Sequence, residues 1–297
     1  MGKTYVFYNP LAGNGRCAES LGDLDQWIQG ERELYDMTAE DRYDEIAAKM
    51  TEEDEIVLCG GDGTLNRFIN QVPDALLERR ILYYPNGSGN DFAHDLGYQQ
   101  GTAPFSINRY LQDLPEVEIN GERHRFLNGV GYGIDGYCCE EGDRLRATSK
   151  KKINYTSIAI KGLLFHYKSK NVKVTVDGVT KEYKRVWLTP TMNGRYYGGG
   201  MIPTPKQDRL GTEGTLSVMV FHGCGKFRVL SIFPSIFKGE HVKHEKHVDI
   251  LVGREITIEY DRPAAAQIDG ETVRNVTALT ARSGNLAAIH AERAHTV

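Results

Sequence analysis

An open α/β domain followed by a β-rich domain is the fold this sequence predicts, and three observations predict it. Up to about residue 119, short apolar strands alternate with helix-like segments, the pattern of a parallel sheet with helices on both faces. From residue 120 onward, alternating strands are joined by Asn-Gly and Asp-Gly dipeptides, the mark of antiparallel hairpins. Within the first part, three glycine-rich loops each follow a strand and open a helix. Loops so placed lie at the carboxyl ends of parallel strands, the edge where open α/β sheets bind nucleotides. The expectation is a Rossmann-like open α/β domain over residues 1–119 and a C-terminal antiparallel β-sandwich domain over residues 120–284.

Taken in order, Lys3–Tyr8 reads as the first strand and Asn9-Pro10-Leu11-Ala12-Gly13-Asn14-Gly15-Arg16 as the first loop, with a helix from about Gly15. A strand around Glu33–Met37 and a helix over Asp41–Met50 follow. Glu55–Cys59 is a short buried strand, and a helix-like run extends from Leu65 to Val72. Ile81–Tyr84 is the next strand, and it leads into Pro85-Asn86-Gly87-Ser88-Gly89-Asn90-Asp91-Phe92-Ala93. In the second part, Asn120-Gly121 turns between Glu116–Ile119 and Arg123–Leu127. Val172, Val174 and Val176 alternate, Asp177-Gly178 turns, and Lys181–Leu188 returns. Leu216–Phe221 and Glu255–Tyr260 complete the strands.

The central loop, Cys59-Gly60-Gly61-Asp62-Gly63-Thr64-Leu65-Asn66, says most about chemistry. A strand that ends in glycines and opens into a helix leaves N–H groups pointing at one spot, where the helix dipole favours a phosphate. The glycines permit close backbone approach and positive φ. Thr64 suits an N-cap, and Asp62 sets a carboxylate where a metal–phosphate would sit. No Gly-Lys-Ser/Thr ending occurs, so this is not a Walker A loop. Taken alone, the segment is also compatible with a plain strand–helix turn, but three such loops in one small domain are hard to explain that way.

Asn9-Pro10-x-Ala12-Gly13, Gly60-Gly61-Asp62-Gly63-Thr64-Leu65-Asn66 and Gly87-Ser88-Gly89-Asn90-Asp91-Phe92-Ala93 resemble the three signatures of the diacylglycerol kinase catalytic family. Bacterial lipid kinases and sphingosine kinases share them. The resemblance continues through Asn128–Asp135, Asn193 with Gly198-Gly199-Gly200, Lys238–His241 and Asp269-Gly270-Glu271. The middle signature is shared with NAD kinases, whereas the Gly87–Ala93 segment is specific to the lipid-kinase branch. The resemblance implies ATP and Mg²⁺, a lipid acceptor, and transfer of the γ-phosphoryl group in a cleft between the domains. It also implies that the extreme C-terminus, around Asn285–His290, returns to the first domain.

Such chemistry needs a base, a cation for the triphosphate and donors around the moving phosphoryl group. The resemblance assigns the base to Glu271 or Asp269, although an Asp-Gly dipeptide by itself reads as a turn. It gives Asp62 the organisation of Mg²⁺ and water. Nucleotide contacts fall to Asn9, Pro10, Leu11, Ala12, Gly13, Thr38, Gly60, Gly61, Gly63, Thr64, Leu65, Asn66, Ser88 and Asn90. Thr38 also reads as a helix N-cap. A structural Mg²⁺ loop of the family is matched by Leu210-Gly211-Thr212-Glu213-Gly214-Thr215-Leu216, with Glu in place of Asp. There Glu213 would offer its side chain, and Leu210 and Thr215 their carbonyls; an exposed turn without metal is the equal alternative.

Composition fits an enzyme of two domains: 297 residues, 40% hydrophobic and 26% charged. The five cysteines lack metal-ligand spacing, which points to reduced thiols in a cytoplasm. No signal pattern or membrane-spanning run appears, so the expected location is cytoplasmic, with transient contact at a membrane surface. A net charge of −4 excludes global attraction to anionic lipid and gives nucleic-acid binding no support. Arg144, Arg146, Lys150, Lys151, Lys152, Lys161, Lys168 and Lys170 surround the apolar segment Ile153–Tyr167. That segment reads as a core helix with a solvated rim in preference to a membrane helix, while Tyr137–Ser149 reads as a loop able to touch lipid. His241, His244 and His247 diverge around a helix rather than converge on zinc. The reading is an ATP- and Mg²⁺-dependent lipid kinase; an NAD kinase or a catalytically silent lipid-binding regulator are the alternatives, and a homodimer is left open.

Overall fold

The computed structural model describes residues 2–15, 17–148, 153–211 and 213–284. The chain divides into two compact units, one of Met1–Gln112 and one beginning at Asp113. The strand before the Asn-Gly turn pairs with strands of the second unit, so this division lies ahead of the expected 119/120.

In the first unit, β1 (Thr4–Tyr8), β2 (Arg32–Asp36), β3 (Glu55–Gly60) and β4 (Arg80–Pro85) form a parallel sheet in the order β2-β1-β3-β4. A short antiparallel strand, β5 (Phe105–Ser106), closes the far edge. Between the strands run α1 (Ala12–Gly15), α2 (Tyr43–Lys49), α3 (Asp62–Gln71), α4 (Asp74–Leu77), α5 (Asp91–Asp95) and α6 (Asn108–Leu111). The central strands are nearly continuous apolar runs because both faces are covered. Val6, Val57, Cys59 and Tyr84 pack with Cys17 and Leu24 on one face. Phe7 stacks on Tyr35 and meets Tyr43 of α2 and Phe68 of α3 on the other. The expected helix from Gly15 is instead the single turn α1 followed by a 3-10 helix, Glu19–Gln26. Gly13 and Gly15, at φ +61° and +84°, take the backbone off the α path. Strand order reverses between β1 and β3, so a crevice opens beyond their carboxyl ends.

The second unit is built on β6 (Glu116–Ile119), β7 (Glu122–Arg125), β8 (Gly129–Tyr132), β9 (Lys170–Val176), β10 (Val179–Val186), β11 (Thr191–Met192), β12 (Leu216–Phe221), β13 (Val248–Gly253), β14 (Glu255–Ile268) and β15 (Glu271–Arg282). The order is β13-β12-β11-β8-β14-β15-β6-β7, with β9 and β10 attached to β14. All these pairings are antiparallel. The strand expected over Glu255–Tyr260 continues to Ile268, bending where its register shifts between Glu259 and Ala264. Its first half pairs with β9 and its last residues with β8, so one strand serves two parts of the sheet. Phe126, Val130, Val174, Val218, Ile256 and Ile268 fill the core.

Three helices, α7 (Ile134–Thr148), α8 (Tyr155–Lys161) and α9 (Lys226–Ile232), pack on this sheet together with a π turn, Gly162–His166. The loop expected over Tyr137–Ser149 is therefore wrong. Residues up to Thr148 are helical, held on the surface by i,i+3 pairs Arg144–Glu141 and Arg146–Asp143. The apolar segment after it does contribute core, through Ile158, Ala159 and Leu163. The proposed C-terminal return, Asn285–His290, lies outside the described residues.

Candidate functional site

The three glycine-rich loops meet at the carboxyl edge of β1, β3 and β4. Asn9 donates its N–H to the Cys59 carbonyl at 3.4 Å, while its side-chain oxygen accepts from the Leu11 N–H at 2.9 Å, turning the chain into α1. Asn86 donates its N–H to the Gly60 carbonyl at 2.7 Å, tying the third loop to the second. Glycines permit this closeness. A Cβ on Gly87 would stand 2.4 Å from the Gly61 Cα, and one on Gly13 would stand 2.7 Å from the Asn86 carbonyl oxygen. Gly60 gives way to the Thr64 side chain, which would meet a Cβ at 2.3 Å. Of the two expected reasons for glycine here, positive φ is absent at Gly60, Gly61, Gly63 and Gly87, whereas close approach holds at Gly60, Gly61 and Gly87, where the approaching atoms belong to the protein itself. The left-handed positions in these loops are Gly13, Gly15 and Asn90, the last at φ +53°.

Asp62 begins α3 and reaches across to the third loop. Its two carboxylate oxygens accept the N–H groups of Asp91 and Phe92, each at 2.9 Å, and so close the first turn of α5. Gly61 is the N-cap of α3, where Thr64 was expected; Thr64 is buried one turn in. The Leu65 side chain is fully buried core, and Asn66 is buried beside it. Asn90 closes its own loop, accepting from the Gly87 N–H at 2.8 Å and donating to the Gly87 carbonyl at 3.1 Å. Ser88 is exposed at the loop tip and Leu11 on the first loop, with Pro10 and Ala12 half-buried beside it. Thr38 is not an N-cap: its hydroxyl donates to Asp36 at 2.7 Å, five residues ahead of α2, at the carboxyl end of β2.

In the second unit, Asp269-Gly270 forms the tight turn between β14 and β15, with φ of +46° and +96°. The buried Asp269 carboxylate accepts three backbone N–H groups: Leu127 at 2.7 Å, Asn128 at 2.8 Å and Gly129 at 3.0 Å. Around that clamp, Arg209 donates to the Leu127 carbonyl and to the Asn128 side chain, both at 3.1 Å. Asn193 adds a bond to the Leu127 carbonyl at 2.9 Å. Glu271 is exposed on the first residue of β15. Asn128 and Asn193 were flagged only through family resemblance, and Arg209 not at all: a lone arginine before a turn carries no local signal.

Asp135, at the start of α7, is buried with one carboxylate oxygen lacking a partner among the described residues. Burial pushes its pKa up to about 6, opposed by bonds from Tyr197 (3.4 Å) and Gln267.

The expected metal turn is described except for residue 212. The Thr215 carbonyl already accepts from the Gln207 amide at 2.9 Å, and Glu213 is exposed. Leu210 donates its N–H to Asp208 at 3.0 Å. Among the described residues, no group of three or more His, Cys, Asp or Glu could hold a metal. His241 is buried and bonded to the Pro203 carbonyl at 2.8 Å, and burial lowers its pKa, so it is a packing residue.

A model of the diacylglycerol kinase catalytic domain matches residues 3–117, and one of the YegS C-terminal NAD kinase beta sandwich-like domain matches residues 128–288. A diacylglycerol kinase of Mycobacterium tuberculosis (strain ATCC 25618 / H37Rv) is 24% identical over 255 residues, covering 82% of this chain and 81% of its own. A solved structure from Bacillus anthracis str. Sterne has a TM-score of 0.64 at 22% identity, over 95% of this chain and 93% of that one. A crystal structure of a diacylglycerol kinase from the same strain gives 0.57 at 21%, over 95% and 94%. These structural likenesses speak for the fold.

Proposed function

The chain belongs to the bacterial diacylglycerol- and lipid-kinase-like catalytic family, and on that premise we propose that it transfers the γ-phosphoryl group of ATP to a lipid hydroxyl. The observation that carries the proposal is the joining of the three loops at the crevice edge, with Asp62 bonded to the first turn of α5. The first turn of α3 presents N–H groups and the positive end of a ten-residue helix, suited to a phosphate chain. Gly13, Gly61 and Gly87 let the three loops approach one another closely at that edge. Asn9, Thr38, Ser88 and Asn90 stand at or beside the same edge. A bound Mg²⁺ would neutralise triphosphate charge, and Asp62 is the carboxylate placed to hold it through water.

The acceptor hydroxyl attacks phosphorus, the bond to the ADP oxygen breaks, and the hydroxyl proton leaves to a carboxylate. In the loose transition state of phosphoryl transfer the proton is lost late, so the carboxylate must be well placed more than strongly basic. Asp269 answers that description, because three backbone N–H groups fix it. Glu271, exposed and unfixed, is assigned a minor part. No step is routed through the Leu210–Leu216 turn.

The test is transfer from γ-labelled ATP with Mg²⁺ to a lipid panel in mixed micelles, with NAD as a parallel acceptor. A labelled lipid is the expected product. Label on NAD alone would overturn the lipid reading in favour of a nucleotide kinase. Absence of transfer despite ATP binding would overturn it in favour of a silent regulator.

A further inference from the structure

Two large aromatic side chains of the second unit stand in water: Phe165 is 72% exposed and Phe227 86%. Phe165 lies on the π turn after α8, and Phe227 in the first turn of α9. The two segments are fastened together, since the Lys226 ammonium donates to the Leu164 carbonyl at 2.7 Å. The residue following each partner in that bond is one of the two phenylalanines. Ile160, near the end of α8, is also exposed. Beneath them Leu163 and Val229 anchor both segments in the core, so the aromatics project from a fixed base.

The two segments that carry this patch hold charges of one sign, although Glu141 of α7 lies near His166 and is paired there with Arg144. Neither Ile153–Val176 nor His222–Gly239 contains a single Asp or Glu, in a chain where acids outnumber bases 40 to 36. Lys161, Lys168 and Arg228 are exposed on these segments, and no carboxylate is seen paired with them among the described residues. Of the other cations that the sequence had grouped here, Lys150, Lys151 and Lys152 lie outside the described residues, and three more drop out. Arg144 and Arg146 are paired on α7, and Lys170 is buried against the rings of Tyr167 and Tyr260, which leaves its pKa lowered to about 8 by desolvation. Protruding aromatics flanked along the same segments by exposed cations match a surface with an apolar interior and a negative rim.

We propose that Phe165 and Phe227, with Lys161, Lys168 and Arg228, form the face by which this protein docks on an anionic lipid bilayer. The two rings enter the boundary of the acyl region, and the cations meet the headgroup phosphates. This rests on the lipid-kinase reading, which requires contact with a bilayer, but it is tested without turnover.

The experiment is co-sedimentation of the full chain with vesicles of phosphatidylcholine containing phosphatidylglycerol, against phosphatidylcholine alone. Wild type should favour the anionic vesicles, and high salt should weaken binding. The double variant Phe165→Ser/Phe227→Ser should lose at least about tenfold in partitioning. The triple variant Lys161→Gln/Lys168→Gln/Arg228→Gln should lose a similar factor and its preference for anionic lipid. All should keep the wild-type melting temperature and transfer to a short-chain diacylglycerol dispersed in neutral micelles. Equal vesicle binding by wild type and the Phe165→Ser/Phe227→Ser variant would overturn the proposal. So would wild-type indifference to lipid charge, or a concentration-dependent dimer that the same variant abolishes while vesicles capture neither protein. Failure of transfer with intact vesicle binding would sink the kinase reading and leave the docking face standing.

Discussion

Replacing Asp269 by Asn separates two jobs that the carboxylate performs. Leu127 donates to one oxygen at 2.7 Å, and Asn128 and Gly129 donate to the other at 2.8 and 3.0 Å. The amide of Asn keeps one acceptor. It serves Asn128 and Gly129 best by turning its NH₂ toward the Leu127 N–H, where donor then meets donor. One charge-assisted bond is lost and a buried N–H is left unmet, a cost of about 1.5–3 kcal/mol, and the two remaining bonds weaken by roughly 0.5 kcal/mol each. The total is about 3 kcal/mol, which in a unit of this size lowers its melting temperature by about 6–12 °C. Circular dichroism melts measure that shift. Turnover, read well below the transition, should fall on the order of a hundredfold because the acceptor for the hydroxyl proton is gone. Glu271→Gln, at an exposed position, should move the melt by less than about 1 °C and kcat by less than about threefold. Two results would refute the reasoning: an Asp269→Asn protein that melts like wild type, or a larger loss of kcat in Glu271→Gln than in Asp269→Asn.

Asp62→Asn leaves one of two N–H partners at the head of α5 unsatisfied, costing about 1–2 kcal/mol; transfer should drop at least about a hundredfold in a folded protein, and near wild-type turnover would remove Asp62 from the site. Gly87→Ala places a Cβ 2.4 Å from the Gly61 Cα, where only backbone can yield. The loops must part, costing about 1–3 kcal/mol and raising KM for ATP; an unchanged KM would show that their contact is not needed for binding. Asp135→Asn tests the buried acid. Its folded pKa, raised from 3.8 to about 6, means the neutral form contributes fully below about pH 4 and that contribution is lost as pH rises through 6. By pH 7.5 the loss is about 3 kcal/mol. Asp135→Asn should therefore match wild type in urea unfolding at pH 4 and exceed it by about 2–3 kcal/mol at pH 7.5. Parallel stability curves would contradict the assignment.

What the sequence made legible was local. A strand, two glycines and a helix lie within a dozen residues, so β3, the Gly60–Gly63 loop and α3 could be read as one phosphate-facing unit, as could β1 and β4 with theirs. The pairing of the loops with one another could not be read, because it depends on which strands are neighbours. That order puts Gly61 against Gly87 and carries the Asp62 side chain to Asp91 and Phe92. The glycines were singled out for close approach and for positive φ, and only the first holds at Gly61 and Gly87; what approaches them is a backbone far away in sequence, which local reasoning does not identify. Thr64 fails as a cap for a related cause, since its side chain is drawn into the space that Gly60 leaves. In the second unit, the reading of β14 stopped at Tyr260, yet past its register shift the strand runs on to Ile268 and pairs there with β8 in place of β9.

Two Asp-Gly turns show where local reading stops. Asp177-Gly178 and Asp269-Gly270 adopt the same backbone, with φ of +47° and +83° in the first and +46° and +96° in the second. Each aspartate also clamps N–H groups of another strand's approach: Asp177 accepts from Arg254 and Glu255 at 2.9 and 2.8 Å, as Asp269 does from Leu127, Asn128 and Gly129. Dipeptide, turn and clamp are thus common to both, and none of them marks a site. The difference is in the surroundings. Asp177 is exposed, whereas Asp269 is buried beside Asn128, Arg209 and Asn193, residues far from it along the chain. A turn former and the proposed proton acceptor are therefore compatible readings of Asp269. The turn and its clamp supply rigidity at both places, and at 269 the sheet also brings Asn128, Arg209 and Asn193 close, the amide and guanidinium surroundings on which the proposed role of Asp269 rests.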